Sequence, residues 1–239
     1  MAKKETKREN IWLNIGFNIV APSLLLIKGR SIAESAGYVH ESLDAYIFVA
    51  ALAFPIIYGV CDLISRGKWN IFSAIGILSV FLTGGIGLMK LSREWMIVKE
   101  TCVPLVLGAA VLLTAATKKP LAKVLLMNEA VLDVGKIDSA LDANGTRGDF
   151  EKSLKTATYI LAASFLLSGV LNFALASYLF KSPAGTAEFN AEVGRMTALS
   201  FPVIVLPTMA VLIFAMFKLF SSITRYTGLS LEDVMAEKK

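Results

Sequence analysis

The chain has few of the residues that build catalytic or metal centres. Its 239 residues include one histidine, His40, and two cysteines, Cys61 and Cys102. One histidine cannot form a multi-histidine metal site, and no histidine-based catalytic triad is predicted. His40 is therefore expected to be a surface side chain. Both cysteines fall in apolar segments, which predicts no disulfide framework, and no P-loop or GxGxxG pattern occurs. The sequence therefore predicts no enzyme, no metal and no cofactor.

Charged residues are also scarce, at 18% of the chain, whereas 55% of the residues are hydrophobic and the mean hydropathy is +0.63. A soluble domain averages about 25% charged residues. A helix that crosses a bilayer needs about 20 apolar residues in succession. The composition predicts an all-α membrane protein, a single domain over residues 1–239 in contact with the lipid bilayer. The net charge of +5 is attributed to membrane topology and not to nucleic-acid binding.

Six transmembrane helices are predicted, with a cytoplasmic amphipathic helix between the fourth and the fifth. The spans cover about residues 11–27, 45–64, 71–89, 97–117, 157–180 and 197–217, and the amphipathic helix covers about 120–142. With the N-terminus inside, 17 of the 24 Lys and Arg residues are cytoplasmic, so both termini are placed inside the cell. The apolar stripe from Leu126 to Leu141 is expected to rest on the membrane, beneath the bundle or on a partner. The polar C-terminal tail is expected to form either a short helix that starts at Ser230 or a solvated segment.

Short matches between the two halves of the chain favour two inverted three-helix repeats. Asn18 and Pro22 in the first span align with Glu100 and Pro104 in the fourth. Three spans per half would invert the second half relative to the first. Proline-interrupted helices in matching positions are typical of transporters whose site lies at the repeat interface. Chance similarity between apolar segments is the alternative explanation.

Polar side chains within spans are costly in lipid and indicate a bundle interior or a cavity. The candidates for binding a substrate or an ion are Asn14, Asn18, Asp62, Glu100 and Asn172. Asp62 has a local alternative, an ion pair with Arg66 four residues later. Asn172 has another, a hydrogen bond to a neighbouring helix.

Two further features concern the ends and the shape of the spans. Lys99 and Glu100 begin the fourth span, either as side chains that reach back to the interface or as the charged lip of a cavity. Pro202 and Pro207 both lie in the sixth span. Each removes a backbone hydrogen bond, so they predict a bent helix and are the hinge candidates.

The segment TGGIGLMKLSREWMIVKETCVPLVLGAAVLL, followed by KKPLAKVLL, resembles the bacterial intracellular septation protein A family. In that family a Gly-Thr-rich span is followed by an aromatic elbow, a second span and a Lys-Pro-Leu sequence. The matching positions are Trp95, Lys99, Thr101, Pro104, Lys119, Pro120 and Leu121. Over about residues 71–180 the chain is similar to a related group of bacterial membrane proteins, the VC0807 family.

The resemblance implies a bacterial inner-membrane protein of the cell envelope and supplies no catalytic residues. The chain departs from the family in one motif. The compact Lys-x-Lys-Pro-Thr string of the family is replaced by KETCVP, from Lys99 to Pro104. A septation role is therefore not carried over with the scaffold.

Two functions fit these features. The first is a small-solute or ion transporter with a mid-membrane cavity between two helical halves, which predicts that Asp62 or Asn172 points into a polar cavity. The alternative is a cell-envelope or septation-related organiser that does not transport and acts through a protein partner or as a homo-oligomer. The organiser predicts that the stripe from Leu126 to Leu141 faces a partner.

Overall fold

The protein is all helical over the residues described by a computed structural model, which are 11–66, 71–115, 117, 123, 126–127 and 132–235. The side chains of residues 11, 62–66 and 71–76 lie outside this description. The helices are α1 (Ile11–Ile15), α2 (Ala21–Ser35), α3 (Leu43–Arg66), α4 (Ile71–Leu88), α5 (Arg93–Thr114), α6 (Val134–Ala143), α7 (Arg147–Leu179), α8 (Ala187–Ser200), α9 (Leu206–Thr227) and α10 (Leu231–Val234). Five-residue π-helical turns join α1 to α2 (Gly16–Val20) and α8 to α9 (Phe201–Val205).

Five helical stretches in the described part are long and apolar enough to cross a membrane. They are Trp12–Ser35, Leu43–Cys61, Arg93–Thr114, Arg147–Leu179 and Ala187–Thr227. A shorter apolar helix, Ile77–Leu88, lies where the third of the six spans is predicted. The membrane class is thus confirmed, and the count of six spans stays a prediction.

The long helices carry large apolar side chains on their outer surfaces, as lipid contact requires. A water-soluble protein of this size rarely exposes so many large apolar groups. Examples with more than half of their surface exposed are Trp12, Ile57, Phe81, Leu113, Phe173, Ile213, Phe214 and Phe217.

Two of the helices run well beyond the predicted spans. The fifth span was expected at 157–180, but α7 starts at Arg147 and has 33 residues, which is about 50 Å of helix. The sixth was expected at 197–217, but helix continues from Ala187 to Thr227. Hydropathy detects only the apolar part of a helix, whereas backbone hydrogen bonding continues into the polar residues on either side. The charged ends of these helices therefore extend past a bilayer core of about 30 Å.

The chain divides into two compact units. The first unit comprises Met1–Glu100 and Asn172–Val203, and the second comprises Thr101–Leu171 and Ile204–Lys239. The boundaries fall inside α5 and α7, so the units do not coincide with the two three-span halves suggested by the sequence matches. The proposed repeat therefore gains no support from this division.

In the first unit, α2 packs closely on α8 at Gly194. A Cβ atom added there would lie 2.9 Å from Leu26 Cβ and 3.0 Å from the backbone oxygen of Ser23. Only a residue without a side chain allows this approach. Phe189 lies further towards the start of α8, and its ring centroid is 5.8 Å from that of Phe180. The glycine and this aromatic contact hold α8 in the first unit.

Both π-helical turns precede a proline with the same spacing. The turn Gly16–Val20 is followed by Pro22, and the turn Phe201–Val205 is followed by Pro207. A proline has no N–H and its ring collides with the preceding turn, so a locally wider turn relieves the collision. In the first turn the Ala21 N–H accordingly donates to Gly16 O. The sixth span therefore contains a π-helical turn at Pro202, whereas its bend and the hinge role of Pro202 and Pro207 stay predictions.

The second unit has its own hydrophobic core, formed where the charged ends of α7 and α9 extend past the apolar layer. The buried side chains include Leu126, Met127, Ile137, Leu141, Phe150, Leu154, Leu219, Ile223 and Val234. The turn between α6 and α7 is fixed to the end of α9, because Asn144 Nδ2 donates to Thr227 O at 2.9 Å and Thr146 Oγ1 donates to Tyr226 O at 2.8 Å. This core joins three separate segments of the chain.

The prediction of one continuous amphipathic helix over about 120–142 is wrong. Leu132 is extended and pairs with Met235, and Asp133 is the N-cap of α6, where its side chain accepts the N–H of Lys136. An aspartate that caps a helix ends any preceding helix, because the capping residue is not itself helical. Residues 118–122, 124–125 and 128–131 lie outside the described part.

The apolar stripe of this region packs beneath the chain's own helices. Leu126, Met127, Ile137 and Leu141 are all buried within the second unit. They are therefore not available to a lipid surface or to a protein partner. The expected short helix at Ser230 is confirmed as α10, which is held by reciprocal hydrogen bonds between Ser230 and Asp233.

We predict that Gly194→Ala destabilises the protein by about 1–3 kcal/mol, because the added methyl group has no room between α8 and α2. Gly59→Ala in α3 is the matched control, because a Cβ at Gly59 meets nothing within 4 Å. Alanine should stabilise that position slightly, since glycine disfavours helix. Thermal unfolding in detergent measures both variants, and equal shifts would contradict the close approach.

We predict that α10 loosens as the pH falls below about 4. Hydrogen bonds from the Ser230 hydroxyl and backbone N–H, and then the charge of Lys136, lower the pKa of Asp233 from its usual 3.8. A carboxyl whose pKa is lower in the folded state stabilises the fold above its unfolded pKa and loses that effect on acidification. Hydrogen-exchange protection of residues 231–235 should fall over that range in the wild type. In Asp233→Asn the protection should be low already at pH 7 and change little with pH.

Candidate functional site

Asn14 and Asn18, the first two candidates, contact each other at the first π-helical turn. Asn18 Nδ2 donates to Asn14 O at 3.1 Å and to Asn14 Oδ1 at 3.3 Å. Both side chains are partly buried. Because one amide supplies the other with an acceptor, part of the hydrogen-bonding capacity of the pair is used locally. The two side chains therefore lie on the same face of the helix.

Asp62 and Asn172 were the residues expected in a mid-membrane cavity. Asp62 lies in α3, but its side chain and that of Arg66 lie outside the described part, so both the ion pair and the cation site stay predictions. Asn172 lies in α7 and is only 9% exposed, so it is enclosed among helices. Asn172 lines neither of the two cavities described below.

The first unit instead contains a buried charged cluster of Thr83, Lys99 and Glu100. Lys99 Nζ donates to Thr83 Oγ1 at 2.8 Å and to Glu100 Oε1 at 2.7 Å. The side chain of Lys99 is 7% exposed and that of Glu100 is 22% exposed. Thr83 is free to accept this bond because its own hydroxyl proton is donated to Ser79 O. We call this cluster the Lys99 site.

Lys99 is therefore enclosed by its neighbours, and its depth in the membrane stays a prediction. It is six residues from the start of α5, which is about 9 Å along the helix axis. Neighbouring residues of a helix do not share a face, so the long lysine side chain must turn to meet Glu100. It does so because Thr83 and Glu100 together offer two acceptors at a position where the ammonium is largely shielded from solvent.

Burying only one charge of this pair would cost much more free energy than burying both together. Taking an ammonium and a carboxylate out of water costs several kcal/mol per ion, and their attraction offsets this only with good geometry. The ammonium has three donors, and two of them have acceptors in the described part. The site therefore holds two opposite charges whose sum is zero.

Lys99 was not among the residues predicted to bind a substrate or an ion, although Glu100 was. The apolar run suggested a span beginning at 97, which placed Lys99 at the membrane surface. The helix begins four residues earlier, at Arg93. The sequence signal was Ser92 followed by Glu94, a hydroxyl residue and an acid at the start of a helix.

A first cavity, of about 190 Å³, lies between α3 and the loops that follow α4 and α7 in the first unit. Its polar lining is Glu41, Ser42, Asp44, Lys90 and Asn190. Two of these groups, Asp44 and Asn190, have partners in the described part. Asp44 forms an ion pair with Arg30, and Asn190 Nδ2 donates to Asp44 O at 2.9 Å.

A second cavity, of about 340 Å³, lies in the second unit between the end of α5 and the first three turns of α7. Its charged lining is Lys123, Asp138, Arg147, Glu151 and Lys155, and Phe150, Leu154 and Thr158 form its apolar side and floor. Arg147 donates to Asp138 and to Asp142, and this contact lowers the pKa of Asp142.

Within the described residues, no group of three or more His, Cys, Asp or Glu side chains is placed to hold a metal ion. Compared with protein-family models, with curated proteins and with solved structures, the chain matches none. The resemblance to the septation protein A family is therefore still a prediction. The Lys99 site is defined by its own geometry alone.

We predict that the two charges of the Lys99 site depend on each other. Lys99→Met leaves Glu100 without its cation and should cost about 3 kcal/mol of stability, whereas the double variant Lys99→Met/Glu100→Leu should regain most of it. Glu94→Gln breaks the exposed pair with Arg93 on the same helix and should change stability little. Thermal unfolding in detergent measures all three variants, and a double variant no more stable than Lys99→Met would contradict a coupled pair.

Proposed function

We propose that this chain is a multi-span transporter of the bacterial inner membrane that moves protons, with the Lys99 site as its proton-binding group. The observation that carries the proposal is the enclosed pair of Lys99 and Glu100 in a helix apolar enough to cross a membrane. Ionisable residues within such helices commonly belong to ion pathways or proton relays. A site with a purely structural role could use apolar side chains at lower cost.

The chemistry of the site favours an ion over a small solute as the cargo. In the structure, Lys99 Nζ lies 2.7 Å from Glu100 Oε1, so the ammonium and the carboxylate neutralise each other. A proton that binds Glu100 removes its charge and breaks the ion pair, and the ammonium keeps its bond to Thr83. When the proton leaves, the pair forms again. This cycle binds and releases one proton without any other cofactor.

The π-helical turns supply a second feature that transporters use. π-helical turns and proline kinks are frequent at functional sites, because they leave backbone groups partly free and permit local bending. Pro207 follows such a turn, and Pro202 lies within the same turn. We assign Pro202 and Pro207 as the positions at which the sixth span bends during transport.

Topology and location follow from charge. The Lys and Arg bias favours a topology in which both termini and the chain between α5 and α7 are cytoplasmic and the loop between α7 and α8 is outside. The organiser alternative loses its stated support, because the stripe from Leu126 to Leu141 is buried in the second unit. The experiment below therefore tests the transporter proposal only.

The test is proton flux into vesicles. Purified protein is reconstituted into liposomes that contain a pH-sensitive dye, and a potassium diffusion potential drives protons inward. The wild type should acidify the lumen much faster than protein-free vesicles. Lys99→Met/Glu100→Leu should lower the rate at least tenfold while remaining folded, and Glu94→Gln should keep the wild-type rate.

Two results would overturn the proposal. One is a wild-type rate equal to that of protein-free vesicles. The other is a double variant that conducts protons as fast as the wild type. Because the double variant removes both charges together, its loss of flux cannot be attributed to an unpaired buried charge that unfolds the protein.

A further inference from the structure

Several charged side chains that line the cavity of the second unit have no oppositely charged partner among the described residues. Three of its charged groups make no ion pair within the part of the chain that the structure describes: Lys123, Glu151 and Lys155. Arg147 is already held by Asp138 and Asp142. The uncommitted groups are therefore two ammonium groups and one carboxylate around a space of about 340 Å³.

The position of the cavity is that of a membrane surface. The apolar stretch of α5 ends at Thr114, and residues just beyond it, Ala115 and Thr117, line the cavity. On α7 the lining residues run from Arg147 to Thr158, where the charged start of the helix gives way to its apolar part. Both helices therefore leave the apolar layer at this level, which is where lipid phosphates lie.

Exposed apolar side chains flank the cavity on its membrane side. Leu112 and Leu113 lie in the last turn of α5, and Tyr159 follows Thr158 on α7; all three are exposed. Tyrosine is enriched at membrane interfaces because its ring is apolar and its hydroxyl is polar. A ligand with a charged group in the cavity could place an apolar tail along these residues. Both its charged and its apolar parts would then contact the protein.

We propose that this cavity binds the headgroup of a phospholipid that carries both a phosphate and a primary ammonium, as phosphatidylethanolamine does. The phosphate lies between Lys123 and Lys155, and the ammonium donates hydrogen bonds to Glu151. The phosphate thus contacts both ammonium groups and the ligand's ammonium contacts Glu151, so each uncommitted group gains a partner of opposite charge. A purely anionic lipid would leave Glu151 unpaired beside its phosphate.

Native mass spectrometry of the full chain in detergent tests the proposal. The chain is titrated with phosphatidylethanolamine, phosphatidylcholine and phosphatidylglycerol with identical acyl chains. Phosphatidylethanolamine should bind at least tenfold more tightly than phosphatidylcholine, whose quaternary ammonium has no N–H to donate to Glu151. Phosphatidylglycerol lacks the ammonium and should also bind more weakly.

Variants locate the site. Lys155→Gln should weaken phosphatidylethanolamine binding about tenfold, and Glu151→Gln should weaken it while leaving phosphatidylglycerol binding unchanged or stronger. Lys152→Gln is the matched control on the same helix, because Lys152 pairs with Asp149 and does not line the cavity. Binding of the three lipids with equal affinity, or an equal effect of the two lysine variants, would overturn the assignment.

Soluble phosphoethanolamine distinguishes a lipid headgroup from a free phosphate compound. It should compete only weakly, because it cannot contact the apolar residues beside the cavity. Competition at the affinity of the lipid itself would show that the ligand is a soluble phosphate compound and would overturn the lipid assignment. Glu151 and Lys155 lie in the second unit, apart from the Lys99 site, so loss of lipid binding and loss of proton flux are separate outcomes.

Discussion

Backbone hydrogen bonding inside an apolar layer is the constraint on which the rest of this structure depends. Without water, every N–H and C=O must find its partner within the protein, so long helices are the natural result. Prolines break this pattern because they remove a donor. At Pro22 and Pro207 the chain responds with a five-residue π-helical turn, whereas α3 and α5 absorb Pro55 and Pro104 and remain regular. The same constraint explains why Thr83 can receive Lys99. Its hydroxyl proton already satisfies a carbonyl of its own helix, which leaves its oxygen open.

Much of the architecture could be predicted from sequence because helices in contact with lipid need long apolar runs, which the sequence shows directly. The apolar runs located the helices, and Pro202 and Pro207 predicted an irregular sixth span. The ends of the helices were not predictable in this way, since α7 and α9 extend through charged residues that lower the hydropathy. This error decided how Lys99 was interpreted. A span that begins at 97 puts Lys99 in its first turn, whereas the helix begins at Arg93 and the side chain of Lys99 is enclosed. Its contact with Thr83 depends on how α4 and α5 pack, which no pattern within one segment reveals.

The region after α5 shows a different limit of prediction. Its apolar stripe was identified correctly, and its residues are indeed buried, but the hydrophobic period does not say what covers them. Here the covering partners come from far away in sequence, from α7, α9 and α10. The break at Leu132 and Asp133 follows from two local choices, an extended pairing with Met235 and an aspartate cap. Each is weak alone, and together they outweigh the periodicity that favoured a continuous helix.

The long-range contacts of the second unit also set an order of assembly. Asn144 bonds to Thr227, 83 positions later, and Lys136 bonds to the backbone of Asp233, 97 positions later. Contacts this distant are entropically costly to form early, and they slow folding. The intervening chain includes α7, α8 and α9, so these helices must be in place before the core can close. Until then the apolar face of α6 stays uncovered, and quality-control proteases can recognise a chain whose later helices have not been inserted.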